Sequence, residues 1–326
     1  MPRHRFIAAS LLAASLLAPA PAGAAECAGI GAPIEKAMCG EPRLAAAQAA
    51  MQVAYTLLWA RLPAERQAAL RLDQQLWRRA RAASCGDKKD GPLVHCLLDE
   101  TEARGHMLAG EGRNGAADGM TLEPAFFREA RKGAWEIEIA YPQLRGAGGT
   151  TVAFNAAARD FILADKKLMA QFRTAAAGGS LASVSYDVIY LDRHFATVVF
   201  WIVSTAPGWV HPFIARESLA FDLSLGRPLS PADLILAPGR AVAAIASMCR
   251  GLLEHEARQG GWEFAPRADA LPVVDDFRNW APGALALDVL FDPGSLPAYA
   301  AGPRACRLDY SSITRWLKRD GPLPPK

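Results

Sequence analysis

The segment Trp209–Ile235 constrains the fold of this chain most, because it predicts a strand, a turn and a helix start in direct succession. Apolar side chains at every second position of 219–223 are typical of a strand with one face in a core. Gly226 ends this strand in a turn. Ser230 and Pro231 predict the cap and first residue of a short helix. We expect earlier elements to pair with this strand and later ones to cover the sheet.

The first residues predict a secretory signal peptide over 1–24. Arg3 and Arg5 precede the apolar run Phe6–Leu17, and small residues follow at 22–24 as a cleavage site. No later apolar run is long enough to span a bilayer, so stable membrane insertion is not expected. We therefore expect a soluble periplasmic or secreted protein.

Length and glycine content predict two domains in the mature chain. The glycine-rich segment 111–120 has no apolar period and is typical of a flexible linker. The predicted division is a helical domain over 25–110 and a second domain over 121–326.

The chain lacks the large excess of positive charge that is typical of nucleic-acid-binding proteins. The chain holds 36 basic and 33 acidic residues, a net charge of +3. Removing Arg3 and Arg5 with the signal peptide leaves 3 − 2 = +1. Nucleic-acid binding is therefore not predicted.

Six cysteines follow the predicted signal peptide and would form disulfides after export. Six cysteines allow about fifteen connectivities, so their positions only suggest the pairs. No Cys-x-x-Cys pair is present, and neither a metal nor a cofactor is predicted. The suggested pairs are Cys27–Cys39, Cys85–Cys96 and Cys249–Cys306.

Prolines and apolar spacing predict a small helical bundle in the first domain. Tyr55 and Trp77 lie at helical spacing and are expected in its core, whereas Arg78, Arg79 and Arg81 are expected on a solvated face. The predicted helices are a turn at 33–39, a helix from Arg43, one from Pro63 to Gly86 and one from Pro92.

This domain resembles the LprI family of exported lysozyme inhibitors over residues 26–108. The resemblance implies a disulfide-stapled helical domain that binds lysozyme. It is carried by Cys27, Pro33–Cys39, Tyr55, Gln75–Trp77, Cys85 and Cys96, which occur in the family's order.

The second domain predicts a mainly antiparallel sheet covered by helices, so the whole chain is expected to be α+β. Period-two apolar patterns mark the strands, and residues 192–194 form the turn of a hairpin. The predicted strands are 135–141, 181–191, 195–206, 219–223, 285–291 and 306–310, and the predicted helices are 154–162, 242–253 and 312–318, of which the first is implied by a family resemblance.

Five stretches of this second domain carry a family resemblance: Tyr141–Leu144, Phe154–Ile162, His211-Pro212, the strand, turn and helix start of 219–234, and the loop 297–303. On these stretches the domain resembles the extracellular domain of the anti-sigma factor RsiV and its family. The resemblance implies an α+β domain that senses lysozyme.

No convergent set of catalytic groups is found, and an enzyme is not predicted. His255-Glu256 begins a zinc-protease pattern, but Gln259 stands where the second histidine must bind metal. Trp209, His211 and Tyr299 are the predicted binding residues. His211 has a second interpretation, a structural hydrogen bond that holds its loop.

The two resemblances converge on one partner class. We expect an exported binding protein that inhibits or senses lysozyme-type muramidases by placing a loop or helix end in their cleft, where two carboxylates act. The alternative is a module that binds peptidoglycan or a cell-wall fragment, and an enzyme acting on the wall ranks last. The sequence leaves the oligomeric state open.

Overall fold

The chain folds into four helices followed by two sheets with further helices, so the predicted α+β class is confirmed. The predicted signal peptide, Cys27 and Tyr299 lie outside the described residues. A computed structural model describes residues 33–86, 88–114, 119–146, 149–174, 180–262, 264, 272–296 and 302–323.

Proline begins the second helix and glycine ends the fourth, whereas these helices were predicted to begin at Arg43 and Pro92. Pro42 is the first residue of the second helix, where the Glu41 carboxylate accepts a hydrogen bond from the Arg43 N–H at 3.3 Å. Gly110 ends the fourth helix with φ of 85°, and a Cβ there would lie 2.7 Å from the Leu122 carbonyl oxygen. The helices are α1 (Pro33–Gly40), α2 (Pro42–Arg61), α3 (Ala64–Cys85) and α4 (Asp90–Ala109).

A six-stranded sheet follows α4, with its strands in chain order. Neighbours are antiparallel except β2 and β3, which run parallel. Parallel pairing needs a crossover, and α5 (Gly149–Leu163) and α6 (Lys166–Thr174) form it. The strands are β1 (Thr121–Arg131), β2 (Trp135–Arg145), β3 (Ser180–Leu191), β4 (Phe195–Thr205), β5 (Phe213–Asp222) and β6 (Arg227–Pro228).

A second sheet and its helices complete the chain. Cys249–Cys306 joins α8 to β9, which confirms the predicted pair. Tyr310 begins a helix instead of extending the last strand. The elements are α7 (Pro231–Leu234), α8 (Pro238–Gly260), α9 (Pro272–Asp275), β7 (Trp280–Pro282), β8 (Ala286–Phe291), β9 (Arg304–Asp309) and α10 (Tyr310–Ile313).

The central strand β4 is buried on both faces. Phe200 stacks on Phe161 of α5 with ring centroids 5.2 Å apart. Val199 points to the opposite face of the sheet and packs with Ala281 and Leu290 of the second sheet. The neighbouring strand β5 was expected to bury one face, but its polar residue Ser218 is also buried and donates its hydroxyl to the Trp280 carbonyl.

The helices α2–α4 pack against the first sheet. Met51, Leu58 and Trp77 belong to the same buried cluster as Ile137 and Leu144 of β2. A second, smaller cluster surrounds Cys85, whose disulfide to Cys96 ties α3 to α4 as predicted. The boundary between two domains stays a prediction, but the described helices and sheet share one core.

Part of the segment that was expected to be a flexible linker is hydrogen-bonded to β3. The Arg113 N–H donates to the Val188 carbonyl oxygen at 2.8 Å. The Asn114 side chain accepts from the Leu191 N–H and donates to its carbonyl, both at 2.8 Å. The prediction of a flexible linker therefore does not hold for Arg113 and Asn114, because both residues form hydrogen bonds with the end of β3.

The Cys249–Cys306 bond generates the first testable prediction. The double variant Cys249→Ala/Cys306→Ala should lose about 4 kcal/mol of unfolding free energy, because the bond closes a 57-residue separation. The variant Cys85→Ala/Cys96→Ala, with a separation of 11, should lose about 3 kcal/mol. Urea unfolding under oxidising conditions measures both losses. An unchanged midpoint in either variant would contradict a stabilising role for that bond.

Candidate functional site

The connection between β4 and β5 exposes apolar side chains at the place where the sequence predicts binding residues. Trp209 is 45% exposed and Val210 is 86% exposed. Gly208 has φ of 86°, and the Trp209 N–H donates to the Ala206 carbonyl oxygen at 3.1 Å, so a tight turn presents both residues. His211 lies exposed on the same loop. The structure therefore places two predicted residues together, while Tyr299 lies outside the described residues.

The outer face of α2 is a second exposed apolar surface, which the sequence analysis missed. Val53 is 60% and Leu57 is 61% exposed, one helical turn apart. No charged residue lies between Arg43 and Arg61. The absence of charge along a surface helix was the signal that could have revealed this face. Its exposed residues are Ala46, Ala49, Ala50, Gln52, Val53, Thr56, Leu57 and Ala60.

The inner faces of α3 and α4 carry buried charges. The Arg104 guanidinium donates to the Asp73 carboxylate at 2.5 Å and to the side-chain amide oxygen of Gln74 at 2.8 Å. It also lies over Trp77, 5.6 Å from the ring centroid. The guanidinium is thus paired and stacked, which offsets the cost of burying it.

Arg81 corrects a prediction, because it is buried and not on a solvated face. Its Nη1 donates to the Thr101 hydroxyl at 2.9 Å. Its guanidinium lies over the Trp77 ring at 4.5 Å, one turn away on the same helix. Trp77 is buried in the core as predicted, whereas Tyr55 is half-buried and stacks at a tilt on Trp59.

Comparison with known proteins finds a family that is similar to the helical part. Residues 25–108 match the family of the lysozyme inhibitor LprI. This range contains α1, α2, α3 and nearly all of α4, and therefore both the outer face of α2 and the buried Arg81–Trp77 pair. No curated protein matches the chain.

Two solved structures are similar to the chain at low identity. One is a member of the DUF3298 family from Bacteroides fragilis, with 11% identity, a TM-score of 0.44, and coverage of 61% of this chain and 94% of that chain. The other is a DUF3298 family protein from Pseudomonas aeruginosa, with 14% identity, a TM-score of 0.46, and coverage of 64% and 99%. Neither similarity carries an argument about function.

Clefts open on the surface of the described residues, and two of them are wide. One, of about 640 Å³, lies within the LprI-matched helices and is lined by Lys36, Gly40, Glu41, Lys89 and Leu93 among others. The other, of about 580 Å³, lies beside the β3–β4 turn. Its carboxylates at Asp192 and Asp222 accept backbone N–H bonds within their own turns. No described group of three or more His, Cys, Asp or Glu residues is placed to hold a metal ion, and no described helix is long and apolar enough to cross a membrane.

Two glutamates between the helices and the strands have raised pKa values. Burial, together with the nearby Asp187 carboxylate, raises the pKa of Glu100 to about 7 against the opposing effect of the Arg113 guanidinium. Burial also raises the pKa of Glu138 to about 7, although Arg128 Nε lies 2.5 Å from its carboxylate. Both carboxyls are therefore partly protonated near neutral pH.

These pKa values predict that the protein is more stable in mild acid. The folded form binds more protons than the unfolded form between pH 4.5 and about 7, so the stabilisation is complete below the unfolded pKa and is lost as pH rises through 7. We expect the unfolding free energy to fall by on the order of 2 kcal/mol from pH 5 to pH 8.

Urea unfolding at pH 5 and pH 8 measures this fall. The variants Glu100→Gln and Glu138→Gln should each flatten the dependence, because an amide does not titrate in this range. The exposed Glu65→Gln serves as the control and should leave the dependence as it is. An equal dependence of the unfolding free energy on pH in the parent protein and all three variants would contradict the raised pKa values of Glu100 and Glu138.

Proposed function

We propose that this protein is an exported, non-enzymatic binding protein that inhibits or senses a lysozyme-type muramidase. The observation that carries the proposal is the match of residues 25–108 to the lysozyme inhibitor family. The two disulfides of the described chain are in keeping with an oxidising compartment outside the cytoplasm. The similarity of residues 121–326 to the RsiV domain stays a prediction and points to the same partner class.

Steric exclusion is the mechanism that this structure supports best. Muramidases act through two carboxylates in a cleft that must admit a sugar chain. A bound protein that buries about 800 Å² on each partner over that cleft excludes the polysaccharide and needs no chemistry of its own. Arginine, lysine or backbone N–H donors at the contact would pair with the carboxylates.

The exposed Trp209 loop is a second contact in this proposal. Because α2–α4 share a core with the sheet that carries this loop, contacts made by the helices and by the loop belong to one framework. Bivalent binding would therefore not depend on a flexible connection, as the sequence had suggested.

A second candidate function is binding of a peptidoglycan fragment. The exposed Trp209 favours it, because an accessible aromatic ring offers a flat apolar face to a sugar ring. Co-sedimentation of the mature protein with purified sacculi discriminates the two candidates. Retention on sacculi without muramidase inhibition would favour this second function.

A muramidase assay tests the leading proposal. The mature protein, at micromolar excess over c-type lysozyme, should slow the clearing of a peptidoglycan suspension. The variant Trp209→Ala should raise the inhibition constant about tenfold, the effect of losing one well-buried anchor. Leu225→Ala, at a residue 64% exposed in another loop, is the matched control and should inhibit like the parent protein. No inhibition of c-, g- or i-type lysozymes by the parent protein would overturn the proposal.

A further inference from the structure

Helix α2 is apolar on both sides, although only one side is covered by the described chain. Its inner side buries Leu44, Met51 and Leu58. Its outer side exposes Val53 and Leu57 in a stretch that holds no charged residue. A surface helix usually carries charged residues on its solvent side, whereas the outer side of α2 has only Gln52 and Thr56 as polar residues. The outer side of α2 therefore has the composition of a covered surface.

The packing of the helices leaves this outer side free. Met51 lies against Gly105 of α4, where a Cβ would be 3.8 Å from the Met51 backbone. The helices α3 and α4 contact the first sheet on their own inner sides. Among the described residues, the sheet thus occupies the inner side of the helical unit and leaves the outer face of α2 accessible.

We propose that the outer face of α2, centred on Val53 and Leu57, is the surface on which the muramidase docks. This inference rests on the proposed function and names the contact that performs it. The face lies inside residues 25–108, the part matched to a lysozyme inhibitor family, which is the reason for choosing a muramidase as its occupant.

The ends of α2 fit the anatomy of a protein interface. Stable interfaces have an apolar core depleted in charge and a polar rim in which arginine is frequent. Arg43 and Arg61 flank the apolar face about 27 Å apart along the helix axis, at 1.5 Å per residue. Both arginines are exposed and offer planar donors that match carboxylates.

Charge reversal at the centre of this face tests the proposal. The double variant Val53→Glu/Leu57→Glu should weaken binding of c-type lysozyme at least a hundredfold in calorimetric titration, because two carboxylates would be desolvated at the contact. The variant Val53→Ala/Leu57→Ala keeps the helix, since alanine has the highest helix propensity, and should weaken binding about tenfold. Circular dichroism and the thermal midpoint show that both variants are folded.

The matched control carries the same charge change elsewhere. Val152→Glu/Leu252→Glu places two glutamates at exposed positions of α5 and α8 and should bind like the parent protein. If the parent protein binds and the α2 variants bind equally well, the docking surface is wrong while the proposed function stands. If the parent protein binds no lysozyme class, both are overturned.

The alternative occupant of the outer face of α2 is a second copy of this chain. Sedimentation equilibrium of the parent protein distinguishes it from a muramidase. A dimer that Val53→Glu/Leu57→Glu converts to a monomer would assign the face to self-association and overturn the proposal. A monomer whose lysozyme binding is lost in the same variant supports it.

Discussion

Burial of both faces of the first sheet is the constraint on which the rest of this structure depends. Adjacent residues of β4 show it most clearly, because Phe200 packs on α5 while Val199 packs on the second sheet. A sheet with two apolar faces needs two covering layers. The helices α3 and α4 contribute further cover by packing on β1, β2 and β3. The helical unit is therefore a structural part of the fold and not only a module attached to it.

Buried polar groups fix how these layers meet. Arg216 of β5 is buried, and its guanidinium donates to the carbonyl oxygens of Phe291 at 3.0 Å and Arg304 at 2.5 Å. Its backbone N–H donates to the Asp292 carboxylate at 3.0 Å. The Arg216 side chain thus joins the first sheet to the last residue of β8 and the first residue of β9. Leaving such a charge without partners would cost several kcal/mol, so its hydrogen bonds select one register between the sheets.

The sequence predicted most helices and strands because proline, glycine and apolar periodicity are local signals. It failed where tertiary contacts override them. The strand β1 was not predicted. It contains Pro124, which pairs with Pro142 of β2, and a proline in a sequence argues against a strand unless that strand lies at the edge of a sheet, as β1 does. Arg81 looked solvated because its partner, the hydroxyl of Thr101, lies on another helix. The outer face of α2 was missed because alanine and leucine at helical spacing do not show which side of a helix is covered.

The exposure of the outer face of α2 follows from the same packing. The inner sides of α3 and α4 cover the sheet, and α2 packs on α4 with its own inner side. The sheet therefore determines which sides of the helical unit face solvent. The net charge of +3 gives little long-range attraction to a charged partner. Affinity for the proposed partner then depends on apolar burial at short range, which is the kind of contact that Val53, Leu57 and Trp209 can make.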